Sequence, residues 1–499
     1  MSQGHVLAID QGTTGSTALV VDGRGRVVGR AYSEFTQHFP KPGWVEHDAE
    51  EIWAVSLRVM KAALRRARVA PEKLAAIGIT NQRETTVVWD RKTGRPVHRA
   101  IVWQDRRTTE RCEALRAAGA VDLVRDRTGL VIDPYFSGTK VEWILENARG
   151  AAAAAKAGRL AFGTIDSWLV WKLSGGRVHA TDYTNASRTL LFDIHRRIWD
   201  DDLLRLLHVP ADLLPEVRVS AGEFCRTAPG IFGKAEIPVA GIAGDQQAAL
   251  FGQLCVHPGM VKNTYGTGCF VLMPSGDEPV TSKSGLVSTL GCGPAGKPIY
   301  VLEGSIFVAG AAIQWLRDGL GLIRTAAESE KLARSLRRND GVYLVPAFVG
   351  LGAPYWDAEA RATIVGLTRG NERAHLVRAA LEAIAYQSRD VIEAMARDAG
   401  GAKGLALREL RVDGGAATND FLMQFQADQL GIPVDRPKVV ETTALGAAYL
   451  AGLGVGLWTP SRLEKMRVRD RVFRPKMKPA ERDGLYAGWQ AAVRQAQAR

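Results

Sequence analysis

The sequence predicts an α/β protein of two related halves, and three observations lead there. A strand, a turn rich in glycine and threonine, and a second strand open the chain (VLAIDQGTTGSTALVV) and recur in its second half (VKNTYGTGCFVL). Each occurrence runs on into a meander strand and then a helix. At 499 residues the chain also exceeds what one hydrophobic core usually spans.

In the first half, strands are expected at Val6 to Ile9, Ala18 to Val21 and Val27 to Phe35, with a turn at Asp22-Gly23. A helix is expected over about Ala49 to Arg66. Asp48 is its N-cap, Glu51 stands at the capping-box position, and Ile52, Val55, Val59 and Ala63 share one face. Strands return at Ala75 to Ile79, Thr85 to Trp89 and Ala100 to Trp103. In the second half, Leu286 to Leu290 and Ile299 to Leu302 continue the meander into a helix at about Ile306 to Gly319. A long helix around Glu372 to Ala399, a strand at Leu410 to Val412 ending in DGG, and helices at Asn419 to Leu430 and Thr443 to Leu453 follow. The boundary is expected near residue 252, dividing 1–252 from 253–499, while the alanine-rich Ala148 to Lys156 reads as helix surface rather than linker.

With 46% hydrophobic and 24% charged residues, the chain has the composition of an ordinary folded protein. Its start has no basic segment leading into a long apolar one, and no later run of about 18 apolar residues occurs. Membrane insertion is therefore not expected, and the cytoplasm is the expected compartment. Cys112, Cys225, Cys255, Cys269 and Cys292 form no CxxC pair and have no metal-ligand spacing with histidine, so they read as reduced packing residues. The net charge of +12 is spread rather than striped. Clusters such as Arg65, Arg66 and Arg68, or Arg467 to Arg474, have acidic neighbours or sit on helix faces without interleaved aromatics, which argues for solvated surface over a nucleic-acid site.

Convergent backbone N–H groups and short hydroxyl side chains make a phosphate cradle. Gly12, Thr13, Thr14, Gly15 and Ser16 after Asp10, and Gly266, Thr267 and Gly268, both fit; the alternative for each is a tight hairpin turn. No G-x-x-x-x-G-K-[ST] string occurs, which excludes a P-loop, and no G-x-G-x-x-G opens a helix after a strand. A third glycine element, Asp413 to Ala416, precedes a helix with Thr418 or Asn419 as N-cap. Phosphoryl transfer needs a metal to bridge phosphates and a group to orient or deprotonate the attacking hydroxyl. Asp10 and Asp245, each at the end of an apolar run, are the candidates, with an N-cap role open for Asp245. Arg83 and Glu84 follow an apolar strand and suit vicinal hydroxyls, or else a surface salt bridge. Trp103, Tyr135 and Phe270 suit either an apolar wall against the carbon face of a polyol or the core.

With these residues, the chain resembles the FGGY family of carbohydrate kinases over nearly its whole length. Two long signatures carry the likeness: Tyr135, Ser137, Lys140, Trp143 and Asn147 in YFSGTKVEWILEN, and Gly366, Leu367, His375, Ala379 and Glu382 in GLTRGNERAHLVRAALE. NQRET, WQDRR, GDQQAALFGQ, NTYGTGCF and DGGAATNDFLMQFQAD resemble the glycerol-phosphorylating branch more than the pentulose kinases. The resemblance implies two actin-like (ribonuclease H-like) ATPase domains closing on a cleft, ATP and Mg2+ as nucleotide and metal, and glycerol as acceptor. It implies glycerol contacts at Arg83, Glu84, Trp103, Tyr135, Asp245, Gln246 and Phe270, with Asp245 as general base. It implies nucleotide contacts at Thr13, Thr14, Gly15, Thr267, Gly310, Gln314, Gly415 and Asn419, with Asp10 at the magnesium. A homodimer or homotetramer is implied as well.

The family's DQGTTSSR reads DQGTTGST here, so Gly15 and Thr17 replace a serine and a phosphate-directed arginine. In GIFGKAEIP, Glu236 stands where some relatives have the arginine of an allosteric sugar-bisphosphate site, and Ile231 where others have a histidine that a phosphocarrier modifies; both controls are expected to be missing. Two rivals remain: a kinase of the same family acting on a pentulose, erythritol or another polyol, and a non-catalytic actin-like ATP-binding protein. The second needs no acceptor base, so the Arg83-Glu84 and Asp245-Gln246 pairs speak against it.

Overall fold

The computed structural model describes residues 4–400 and 404–498. In chain order its principal elements are β1 (His5–Gln11), β2 (Gly15–Val21), β3 (Val27–Glu34), α1 (Ala49–Ala67), β4 (Leu74–Asn81), α2 (Ile165–Leu173), β5 (Ala221–Arg226), β6 (Pro238–Gly244) and α3 (Asp245–Gly252). They continue with β7 (Met260–Tyr265), β8 (Cys269–Gly276), β9 (Val287–Cys292), β10 (Pro298–Ile306), α4 (Gly310–Asp318), α5 (Arg373–Gly400), β11 (Glu409–Asp413), α6 (Asp420–Leu430), β12 (Val434–Pro437), α7 (Thr442–Gly454) and β13 (Arg469–Phe473).

Two sheets result, ordered β5-β6-β4-β1-β2-β3 and β9-β10-β8-β7-β11-β12-β13. In the first, β1 pairs antiparallel with β2 and β2 with β3, β1 and β4 and then β4 and β6 pair parallel, and β5 closes the edge antiparallel. The second repeats these directions through β7, β8, β10, β11, β12 and β13, and β9 adds one strand beyond β10. The expected pair of related halves is thus a repeat of topology.

The central strands are apolar because both faces of each sheet are covered. Alternation along β1 sends Leu7 and Ile9 into a core with Ile52, Val55 and Val59 of α1 and Trp168 of α2, and Val6 and Ala8 into a second core with Ala447, Leu450 and Ala451 of α7. On β7, Val261 and Tyr265 join the core that α5 covers, which leaves Lys262 and Thr264 on the opposite face. Residues 85–220 carry a further core built on Val88, Ile101, Phe136, Val141 and Phe162. All five cysteines are buried thiols. Among the described residues, no helix is long and apolar enough to cross a membrane.

Several expectations need correcting. Asp48 does cap α1, accepting from the backbone N–H of Glu50 and Glu51. Glu51, however, closes no capping box: its carboxylate accepts from Thr36 N at 3.1 Å and Thr36 Oγ1 at 3.0 Å, because the chain leaving β3 crosses the first turn. The helix expected from Ile306 starts at Gly310, since Ile306 still pairs with Cys269 as the end of β10. The strands expected at Thr85 to Trp89 and Ala100 to Trp103 are shorter, Val87–Asp90 and Ala100–Ile101.

Helix α7 lies after the second sheet's strands in sequence yet covers the first sheet. It approaches β4, β6 and α3 at backbone distance: a Cβ on Gly78, Gly241 or Gly446 would overlap Ala447 O, Ala451 N or Ala248 O respectively. Only glycine permits such contact, and a close-packed interior cannot absorb the added volume. We expect Gly446→Val to destabilise the fold by about 3 kcal/mol, read as a lower urea midpoint with an unchanged m-value; an unaltered midpoint would refute the packing argument.

Candidate functional site

The first glycine-threonine turn joins β1 to β2. Gly12 N donates to Gly15 O at 2.9 Å, Gln37 Nε2 to Thr13 O at 3.0 Å, and Trp103 Nε1 to Thr13 Oγ1 at 2.9 Å, while Thr14 is exposed at the tip. Gly15 sits under Tyr32, so a Cβ there would lie 2.8 Å from the Tyr32 ring and from Ser33 O. The second turn joins β7 to β8 in the same manner, with Gly266 N donating to Gly268 O at 2.9 Å. The first N–H groups of α4 reach back to it: Gly310 N to Gly266 O and Ala311 N to Thr267 O, both at 3.0 Å. A Cβ on Gly310 would come within 2.5 Å of Gly266 O, which is why this helix begins on glycine.

Gly266 and Thr267 form a wall common to two cavities. One, of about 1020 Å³, is bordered by Trp103, Tyr135, Gln246 and Phe270, with Arg188 and Glu303 beside them. The other, of about 350 Å³, is bordered by Gly310, Gln314, Gly415 and Asn419. Of the residues expected at the polyol, Trp103, Tyr135, Gln246 and Phe270 border the larger cavity, whereas Arg83, Glu84 and Asp245 are not in its lining; Thr267, Gly310, Gln314, Gly415 and Asn419, expected at the nucleotide, border the smaller one across the same turn. Thr13, Thr14 and Gly15 border neither cavity. Asn419 is the N-cap of α6, accepting from Leu422 N at 3.0 Å. Gly414, at φ +87°, brings Gly415 beside β7, where a Cβ on Gly414 would lie 2.5 Å from Tyr265 O.

Beneath the larger cavity lies a buried set of charges. Arg83 Nη1 and Nη2 donate to Glu303 Oε2 at 2.6 Å and Oε1 at 3.1 Å, and Arg83 Nε lies 3.1 Å from Asp245 Oδ1. Arg188 donates through Nε to Glu84 Oε1 at 2.6 Å and through Nη2 to Glu303 Oε1 at 3.0 Å. Arg83 and Glu84 are therefore not the surface salt bridge that their adjacency allows. They are buried, 3.8 Å apart, and each is held more closely by another partner. Burial pushes Glu303 up, but Arg188 and Arg83 overcome this and hold its carboxyl down at about 2. Burial raises Glu84, with Arg83 and Arg188 opposing, and raises Asp245, with Arg83, the Gln246 N–H and Lys262 opposing. Burial and then the charge of Asp245 push Asp10 up to about 7.

Asp245 opens α3 as its first residue, and the N-cap is Gly244, so the capping alternative is not realised. Its side chain is 31% exposed, against 3% or less for Arg83, Glu84, Arg188 and Glu303. It is the ionisable group of this set most open to a ligand. Gln246 Oε1 accepts from Lys262 Nζ at 2.6 Å. A lysine only donates, so this contact fixes the amide and leaves its NH2 free for the cavity. Trp103 and Tyr135 meet edge to face, ring centres 5.6 Å apart. The segment carrying Tyr135 is held from below by buried Lys140, whose Nζ donates to Tyr135 O at 2.7 Å, and by Ser137 Oγ, which donates to Glu84 O at 2.9 Å. Of the second signature, Glu382 accepts from Arg378 and Asn339, a structural role inside the second lobe.

Sequence reasoning missed Arg188, Glu303 and Lys262. A signal existed for two of them: Glu303 and Lys262 are charged residues within otherwise apolar strands, YVLEGSI and MVKNTY, where an unpaired charge is costly.

Two repeats of one topology, each with a glycine-threonine turn joining its first two strands, mark the actin-like ATPase fold, and likeness to known proteins makes the chain a kinase of that fold. Residues 5–252 match the N-terminal domain of the FGGY family of carbohydrate kinases and residues 261–455 its C-terminal domain. The chain belongs to the FGGY family. It is 58% identical over 493 residues to the glycerol kinase of Petrotoga mobilis, covering 99% of this chain and 98% of that one, and 58% identical to the glycerol kinase of Halorhodospira halophila at 99% and 97% coverage. It superimposes with a TM-score of 0.94 on the crystal structure of Plasmodium falciparum glycerol kinase with ADP, at 35% identity, covering 100% of this chain and 99% of that one.

The buried charges are mutually dependent. Removing one partner of such a set leaves the others uncompensated, at a cost of roughly 3–5 kcal/mol. We expect Arg188→Met, which strands Glu84 and half of Glu303, to lower stability by about that much in urea unfolding. A loss within experimental error would show that the set is solvated.

Proposed function

We propose that the chain transfers the γ-phosphoryl group of ATP to a primary hydroxyl of glycerol, giving sn-glycerol 3-phosphate. The observation that carries this reading is the Gly266-Thr267 turn, the common wall of an aromatic-lined cavity and a second cavity opening on α4 and α6. Glycerol lies in the larger cavity against Trp103, Tyr135 and Phe270, with Arg83, Glu84 and Gln246 on its hydroxyls. ATP lies in the smaller one against Gln314, Gly415 and Asn419. Its phosphates run past Thr267 and Gly310 toward Thr13, Thr14 and Gly15. Asp245 takes the proton of the attacking hydroxyl, and the paired turns supply N–H groups to the phosphate oxygens.

The acidic end of the cleft suits a divalent cation. The charge of Asp245 adds to the cost of ionising Asp10, and a cation held by Asp10 would offset that cost. Asp10 would hold Mg2+, which supplies charge neutralisation on the phosphates. The buried thiols fit a reducing compartment, in keeping with the cytoplasm. The family resemblance supports a homodimer or homotetramer. Ile231 and Glu236 leave the loop without the histidine or arginine that the two family controls use.

The direct test is ADP release with glycerol and magnesium each present and absent, across a panel of polyols and pentuloses. Release that glycerol does not stimulate refutes the proposal, and a stronger response to a pentulose reassigns the acceptor. Asp245→Asn is expected to lower kcat by at least about 100-fold while calorimetry still detects glycerol; near-normal turnover would remove Asp245 from the role.

Asp10 adds a pH dependence. Because its folded carboxyl is held up at about 7, the protonated form favours the fold, and this contribution is lost as pH rises through 7 in metal-free protein. Magnesium must displace that proton, so its affinity should fall by up to about tenfold for each pH unit below 7, measured by calorimetry in the presence of ADP. Affinity independent of pH between 5.5 and 7 would rule Asp10 out as the ligand.

A further inference from the structure

Glu303 belongs to neither expected ligand set, yet its carboxylate accepts three charge-assisted hydrogen bonds, two from Arg83 and one from Arg188. It stands on β10 of the second sheet, in register with Leu272 of β8 and Val287 of β9. Both arginines come from the first 252 residues, Arg83 just beyond β4 and Arg188 in the segment between α2 and β5. The contact therefore joins the half that carries the nucleotide pocket to the half that carries the polyol-facing arginine.

A guanidinium has five N–H groups in a fixed plane, and in Arg83 every nitrogen is engaged. Nη1 and Nη2 present their end-on edge to the two oxygens of Glu303. Nη1 also reaches Gln247 Oε1 at 3.3 Å. The side-on edge, Nε and the remaining N–H of Nη2, points at Asp245 Oδ1 and at Tyr135 OH, 3.1 and 3.3 Å away. Asp245 and Tyr135 are both among the expected polyol contacts. Whichever edge Glu303 takes, the other faces the pocket. Arg188 keeps Glu303 from following Arg83: it is anchored on Glu84 by a 2.6 Å hydrogen bond and rests against the Phe136 and Tyr135 rings, 5.2 and 5.6 Å from their centres.

We propose that Glu303 is a positioning residue of the polyol site: supplied by the nucleotide-bearing half, it takes the end-on edge of Arg83 and so aims the side-on edge at the polyol hydroxyls. Polyol affinity then depends on the two halves being in apposition, while nucleotide contacts do not pass through Glu303. This rests on the reading of Arg83 as a polyol contact.

The test uses the full-length enzyme and steady-state kinetics in both substrates. Glu303→Gln keeps the volume but turns one acceptor into a donor against a guanidinium, so the fork is no longer held. The expected result is a rise in the glycerol KM of roughly 10- to 100-fold, with the ATP KM within about twofold of wild type. Glu303→Asp keeps the charge with a shorter reach, provides a folded variant should the glutamine form be unstable, and should give an intermediate rise in the glycerol KM alone. A glycerol KM that stays put in both variants, or glycerol and ATP KM values that rise together, overturns the proposal, since a merely structural glutamate would change the active fraction or both substrates alike. Arg83→Ala is run alongside. If it leaves the glycerol KM unchanged, the reading of the polyol site fails. If it raises that KM and Glu303→Gln does not, the positioning role alone fails.

Discussion

The architecture depends on the backbone-distance contact between α7 and the first sheet. The helix comes from the far end of the chain, and the glycines at 78, 241 and 446 let it pack against β4, β6 and α3 without intervening side chains. Packing this close has no slack, so small changes of volume move whole elements rather than single side chains. The two halves also meet through Glu303 of β10, which accepts from Arg83 and Arg188 of the first half.

On that frame sits a charge arrangement that would be untenable in isolation. Arg83, Arg188 and Lys262 face Glu84, Glu303 and Asp245, nearly all out of contact with water. Each ion alone would cost several kcal/mol to bury, and only mutual pairing with well-formed hydrogen bonds offsets it. The set therefore adds little net stability for its size. What it supplies is orientation: a guanidinium with one edge fixed, an amide with its NH2 directed, and a carboxylate left partly open at the end of a rigid strand.

Much of this was legible in the residues. The repeated strand, turn and strand announced two halves, and the directions of pairing repeat in both sheets. The expected helices at 49–66, 419–430 and 443–453 fall within a residue or two of those found, because Asp48 and Asn419 are real caps and the apolar spacing is regular. Local signals failed where a distant segment intervened. Thr36 claimed the carboxylate of Glu51, and pairing with Cys269 kept Ile306 in a strand. The expected nucleotide residues of the second half lie around one cavity, whereas Thr13, Thr14 and Gly15 stand at the opposite turn.

The amino-acid order alone determined the family, the paired turns and the residue types at each strand end, since these follow from short-range periodicity and from motifs contiguous in the chain. Only the tertiary structure decided which charges meet. Glu303 is 220 positions from Arg83 and 115 from Arg188, and no local pattern encodes a contact at such separation. It arises because helices and sheets packed at backbone distance leave one polar space between the halves, and a buried charge there must find its opposite.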